Sequence, residues 1–425
     1  MTREKRAELT YHGLERQNYH FGHSLNMPSF KSRKIAVIMD MAGCPNRCRH
    51  CWLGHPPNRR VPEDTLRWAV KQFRDWIRPG EKGPFAKPLT VMTWYREPDF
   101  APNYRELWEL EKELSDKGAA IRFELLSIWR LARDQDCAPW AHDIGTEVCQ
   151  ISFFGLEKNT DYFTRRRGSF QDSLLATERL LEAGIRPRWQ LFLTKRVISE
   201  LEAFVALIQA MEMEKRVRAL GHEFEVFVHP VAPDGEAFNI EHLRPTIDVL
   251  SSIPSYLAEK TKHYQDASTL EECLGKTEQD WIAELLEEDE PFATCPPTLA
   301  FMVTPELDVF SNLGEPMPWW KLGNLKTEGV NKIMHCFEND KAPGLHVNFH
   351  IPVSQLAQTY GRKDSQYIYT REDLILRWLR MWGEDYWQSR DGLQLLPSIT
   401  HGLTLSIESR AAICGSNTSE CHTGK

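Results

Sequence analysis

Three cysteines, Cys44, Cys48 and Cys51, stand within eight residues, in the run Cys44-Pro45-Asn46-Arg47-Cys48-Arg49-His50-Cys51-Trp52. Thiolates are soft ligands, suited to zinc or to iron–sulfur clusters. The other seven cysteines (Cys137, Cys149, Cys273, Cys295, Cys336, Cys414 and Cys421) are scattered through the 425 residues. The triplet therefore reads as a metal site rather than part of a disulfide framework. Structural zinc takes four ligands, usually as two pairs, and here His50 or His55 would have to supply the fourth. Four-iron clusters of the ferredoxin kind take four cysteines. Three on one loop leave one iron without a protein ligand, open to a substrate or cofactor as in a catalytic metal site.

The elements around this loop read as an alternation. Lys34 to Met39 is a short, β-branched apolar run that ends at Asp40 and predicts a buried strand, with the cysteines on the loop at its C-terminal end. Pro62-Glu63-Asp64 opens a helix that runs to about Ile77 and stops at Pro79-Gly80. Further strands are predicted at Leu89–Trp94, Ile121–Ile128, Val148–Phe154, Trp189–Leu193 and Phe224–His229. Helices are predicted at Tyr104–Lys117, around Trp140, at Ser169–Ala183 and at Ser199–Ala219. Six strand–helix units imply a parallel sheet but not a full eight-fold barrel. The expected fold is α/β: a partial (β/α)6 barrel over residues 34–245, with its chemistry at the C-terminal strand ends. Residues 1–33 read as an extension lying over the body. Residues 246–345 read as linker helices followed by short strands and turns. Residues 346–425 form a Trp-rich, partly helical region with a disordered tail.

Composition narrows the function. Lys plus Arg is 52 against 60 Asp plus Glu, a net charge of −8, which gives no support to a nucleic-acid-binding or membrane-surface protein. No apolar stretch approaches the length of a spanning helix. The charged opening MTREKRAELTYHGLER lacks a secretory apolar region, so a cytoplasmic location is expected. There is no P-loop, no G-x-G-x-x-G after a strand and no G-x-S-x-G elbow. The acidic run Glu287–Glu290 reads as a solvated face. His229 and Gln190, on the sixth and fifth strands, could face a ligand, and Cys414, Cys421 and His422 form a conceivable metal pair in the tail. Most of the 14 tryptophans, including Trp319, Trp320, Trp378, Trp382 and Trp387, read as core.

The C-x3-C-x2-C loop after the first strand resembles that of the radical S-adenosylmethionine (radical SAM) superfamily, with His50 in the slot where the family has an aromatic residue before the last cysteine. The resemblance covers residues 34 to about 240. It implies a single [4Fe–4S] cluster held by Cys44, Cys48 and Cys51, whose open iron chelates S-adenosylmethionine. It implies reductive cleavage to a 5′-deoxyadenosyl radical, which abstracts a hydrogen atom from substrate. Thr93-Trp94-Tyr95-Arg96-Glu97-Pro98 lies where the family has Gly-Gly-Glu-Pro, so Glu97 would meet the methionine amino group, and Tyr95 and Arg96 replace the glycines. Ser152 in Gln150–Gly155 would touch S-adenosylmethionine. Arg165, in Thr164-Arg165-Arg166-Arg167-Gly168-Ser169-Phe170, would pair with its carboxylate.

A further segment, Cys295-Pro296-Pro297 to Gly323-Asn324-Leu325, resembles the SPASM/twitch extension, with a hairpin at Val303–Phe310 and a closing strand at Lys321–Leu325. Only Cys295 and Cys336 lie nearby, too few for an auxiliary cluster. His229, Cys295 and Cys336 are the candidates for touching substrate, either cysteine as a hydrogen-atom donor. The resemblance implies an oxidoreductase, transferase or lyase acting on a peptide or small molecule, with a reductant such as flavodoxin or ferredoxin. The competing reading is a zinc-binding or degenerate iron–sulfur module without turnover.

Overall fold

The computed structural model describes residues 33–119, 124–292 and 298–388. The chain divides into two compact units, Met1–Met381 and Trp382–Lys425. The second is described only over the end of the helix Arg371–Gln388. Cys295, the tail cysteines with His422, and residues 1–32 lie outside the described residues.

The first unit is mixed α/β with parallel sheets. β1 (Ile35–Met39) is buried along its whole length, as expected of a strand covered on both faces. β2 (Leu89–Met92) pairs with it in parallel, Val37 opposite Val91. The helix Glu63–Asp75 crosses between them, with Glu63 and Asp64 in its first turn, where they complement the helix dipole. It buries Leu66, Ala69, Val70 and Phe73. β3 (Val148–Phe153), β4 (Arg186–Leu193) and β5 (Val226–Pro230) form a second parallel sheet in the order β3-β4-β5.

Two expectations change. Among the described residues the parallel strands lie in two sheets, not one continuous run. Of the predicted third strand, residues 121–123 lie outside the described residues, Leu125–Ser127 carries no regular structure and Ile128–Leu131 is a short helix, capped by Ser127. The Glu124 carbonyl reaches the second sheet, where it accepts from the Gln150 amide at 2.8 Å. The predicted helix over 199–219 is broken at Glu212, which adopts a left-handed φ of 51°, into Leu201–Ala210 and Met213–Ala219.

Beyond β5 the chain forms a two-stranded antiparallel sheet of β6 (Lys276–Thr277) with β10 (Ile368–Tyr369). Between them, β7 (Leu299–Val303) returns to lie parallel to β1, with Val37 opposite Phe301. The hairpin partner β8 (Asp308–Phe310) and β9 (Lys321–Asn324) extend that sheet antiparallel, in the order β2-β1-β7-β8-β9. The twitch-like strands thus continue the sheet that carries the cysteine loop.

The two larger sheets each have their own core. Phe73, Trp76, Phe85 and Phe301 pack around β1, and Phe153, Trp189, Phe204 and Phe224 around β4. A smaller cluster of Ile38, Leu53, Tyr95, Met302 and Phe310 joins the cysteine loop to the sheet.

Candidate active site

The loop begins where β1 ends. Asp40 Oδ1 accepts from the amides of Ala42 and Gly43 at 3.3 and 2.6 Å and turns the chain. Gly43 has φ +101°, and a Cβ there would stand 2.3 Å from Asn58 Oδ1, so only glycine fits. Asn58 clasps the loop base: its Oδ1 accepts from the Cys44 amide at 3.1 Å and its Nδ2 donates to the Cys44 carbonyl at 2.8 Å. The Cys51 amide donates to the Cys48 carbonyl at 3.2 Å. His55 reaches that carbonyl through Nε2 and Glu236 through Nδ1, both at 2.9 Å. The Glu236 amide donates to the Cys51 carbonyl at 2.9 Å. On the other side the Arg49 amide donates to the Phe163 carbonyl at 2.7 Å.

Burial raises all three thiols, Cys51 to about 11. Cys51 and Cys44 push Cys48 higher still by charge. Such thiols become thiolates when a metal supplies positive charge. Among the described residues, no three His, Cys, Asp or Glu side chains gather about a single point as one ion requires. In a multi-iron cluster each thiolate binds its own iron, and the donor set fits that. The fourth ligand of a zinc site is hard to find, because both His55 ring nitrogens are engaged. His50 packs against Phe154 and Phe192 at 4.1 and 5.4 Å, and burial lowers its pKa to about 3. His50 is therefore a neutral ring closing one side of the loop.

Glu97 stands just beyond β2. Burial raises its carboxyl to about 7, against a lowering from the Ser127 hydroxyl, which donates to Oε1 at 2.9 Å. Ser127 also accepts from the Arg130 amide at 3.1 Å as cap of the short helix, so the cap aims the hydroxyl at Glu97. Ser127 escaped the sequence reading because it sits in a run that looks like a strand. The serine ahead of Ile128-Trp129-Arg130 is the cap signal that could have shown it. Glu97 lines a pocket together with Asp40, Gly43, Trp94 and Phe100. The acid and the start of the cysteine loop, Asp40, Ala42 and Gly43, thus line one pocket.

The three arginines of 164–170 part company. Arg165 is exposed at the C-cap of the helix Glu157–Thr164, with φ 52°. Arg166 turns inward: its Nε donates to Asn46 Oδ1 at 2.6 Å, within the cysteine loop, and its charge favours the ionised forms of Cys48 and Glu97. Asp161 holds this turn by accepting from Gly168 N, Ser169 Oγ and Phe170 N at 2.6, 2.9 and 3.0 Å. Ser152 lies on β3 and donates to Gln190 Oε1 at 3.4 Å, where Gln150 also donates at 2.7 Å. His229, on β5, has Nδ1 2.6 Å from the Pro230 carbonyl oxygen. Cys336, on the helix Gly329–Glu338, packs against the β1 core and is raised by burial.

The residues in the family's glycine positions are both employed. The Tyr95 hydroxyl donates to the Gly314 carbonyl, and Arg96 pairs with Asp40 at 2.8 Å. The loop between β8 and β9 stands beside the cysteines: a Cβ at Gly54 would meet Glu315 Cγ at 2.6 Å. Arg380 holds Glu315 at 2.6 Å.

No family model and no curated relative matches the chain. Similar solved structures exist. anSMEcpe, solved with bound AdoMet, has 11% identity and a TM-score of 0.48, covering 83% of this chain and 97% of its own. SuiB from Streptococcus suis, solved with bound S-adenosylmethionine, has 12% identity and a TM-score of 0.41, covering 73% and 67%. These neighbours are radical SAM enzymes. No helix among the described residues is long and apolar enough to cross a membrane.

Proposed function

We propose that this chain is a radical SAM enzyme acting on a C–H bond of a peptide or small molecule. One observation carries the reading: the loop after β1 that bears Cys44, Cys48 and Cys51 begins with Asp40, Ala42 and Gly43, which line one pocket with Glu97 after β2. Cys44, Cys48 and Cys51 would hold one [4Fe–4S] cluster. When bound, that cluster supplies the electron that splits the sulfonium of S-adenosylmethionine.

The chain's own residues bind, orient and shield. Glu97 accepts from the methionine amino group, with Ser127 fixing the carboxylate's orientation. Arg166 supplies positive charge beside the loop and is the better placed of the three arginines for the methionine carboxylate, with Arg165 at the rim. Ser152 belongs to the Gln150–Gln190 network. His50, Phe154 and Phe192 keep water from the loop, so charges inside act more strongly. His229 stands at a C-terminal strand end, where substrate would enter. The electron comes from a reductant such as flavodoxin or ferredoxin.

Anaerobic reconstitution tests the reading. About four iron and four sulfide per chain, with 5′-deoxyadenosine formed from S-adenosylmethionine and dithionite and lost in Cys48→Ala, is the expected result. About eight iron would overturn the single cluster but keep the radical centre. One zinc and no 5′-deoxyadenosine would replace the enzyme with a structural metal module.

A further inference from the structure

Arg96 occupies a position that needs explaining. It stands next to Glu97, and its side chain is only 5% exposed. Its Nε donates to Asp40 Oδ2 at 2.8 Å and its Nη1 to the Pro56 carbonyl at 2.7 Å. Asp40 starts the cysteine loop and Pro56 follows it, so one planar guanidinium spans both limbs. The second oxygen of Asp40 is committed to the amides of Ala42 and Gly43. An Nη2 atom lies 2.9 Å from where a Cβ on Gly43 would stand, one residue from Cys44. A lysine could not reach two acceptors in this fork.

Charge is the second half of the argument. Arg96 acts on both Cys44 and Cys51, and Asp40 is its close counter-ion. Groups hydrogen-bonded behind a ligand loop orient the ligands and tune the metal they hold. A reduced cluster carries one more negative charge than an oxidised one. A nearby cation therefore favours reduction, and a nearby anion opposes it.

We propose that Arg96 is a positioning residue that staples the two limbs of the cysteine loop and, balanced by Asp40, sets the reduction potential of the metal group held there. The proposal rests on the cluster reading above.

Redox titration of the anaerobically reconstituted full chain, followed by electron paramagnetic resonance, tests it. Arg96→Gln removes the cation and shifts the midpoint potential down. Asp40→Asn can keep its backbone acceptor but leaves the guanidinium uncompensated, and shifts the potential up. Arg96→Lys keeps the charge and stays near wild type in potential, yet releases iron faster to a chelator because the fork is lost. A purely structural staple would lower iron retention in both neutral variants without opposite shifts. Potentials that do not move, or that move the same way in Arg96→Gln and Asp40→Asn, overturn the proposal. Where Arg96→Gln holds no iron, Asp40→Asn decides alone: an upward shift supports the proposal and any other result overturns it. Wild-type protein that takes up no iron and sulfide overturns the cluster reading itself.

Discussion

Glu97 gives the site a pH signature. Its folded value of about 7 lies above the ordinary 4.5 because burial penalises the carboxylate. The carboxylate that would bind an ammonium is therefore fully formed only above pH 7. Binding of S-adenosylmethionine to the reconstituted protein should weaken as pH falls from about 8 to 6. Glu97→Gln should bind roughly 10- to 100-fold more weakly at pH 8, the worth of a hydrogen bond to a charged group, and should lose that slope. Isothermal titration over the range checks both, and a mutant that keeps the slope removes Glu97 from the role. The fold carries the opposite sign. Between about 4.5 and 7 the folded state holds this proton and the unfolded state does not, so stability falls as pH rises through that window. Melting curves of the apo-protein should show Glu97→Gln missing this part of the fall. Ser127→Ala removes a donor to the carboxylate and should move the binding profile to higher pH, besides costing about 1 kcal/mol as a lost cap.

At the scale of elements, the cysteine loop depends on one backbone conformation. Gly43 needs φ +101° and has Asn58 against it. Gly43→Ala should cost about 1–3 kcal/mol, as strained backbone positions do, and open the Asn58 clasp on Cys44. Iron per chain after reconstitution should fall along with the melting temperature. A Gly43→Ala protein with wild-type iron content would show that the clasp is not needed to assemble the site.

A buried ion-pair network ties distant parts of the first unit's sequence together. Glu278 is fully buried, and its carboxylate accepts from Arg362 Nε at 2.8 Å and faces Arg377 Nη1 at 3.5 Å. Glu241 pairs with the same two arginines, and Arg244 with Asp373 at 2.9 Å. Glu278→Ala removes one carboxylate from Arg362 and Arg377 and leaves them Glu241 alone, which should cost about 1–3 kcal/mol, the worth of hydrogen bonds to a charged group. Urea denaturation should show that loss while the folded mutant retains its iron. A loss below about 1 kcal/mol, the worth of an exposed pair, would show that water reaches the arginines.

Several features were legible in the chain because they are local. The spacing of Cys44, Cys48 and Cys51, the apolar run that becomes β1, and the acid after β2 depend on neighbours a few residues away, and period and turn chemistry report such neighbours directly. The hairpin of β7 and β8 and the short β9 were readable for the same reason. What Arg165 and Arg166 each do was not. A single left-handed residue rotates one outward and the other onto Asn46, and three consecutive arginines look alike in a sequence. Nor was the place of β7 beside β1, which pairs residues more than 260 positions apart. The uses of Tyr95 and Arg96 were hidden too, because their partners Gly314 and Asp40 are distant in the chain. The sequence by itself determined which chemistry the loop can hold. Tertiary packing decided which charges surround it, because burial and long-range pairing depend on contacts that no local pattern encodes.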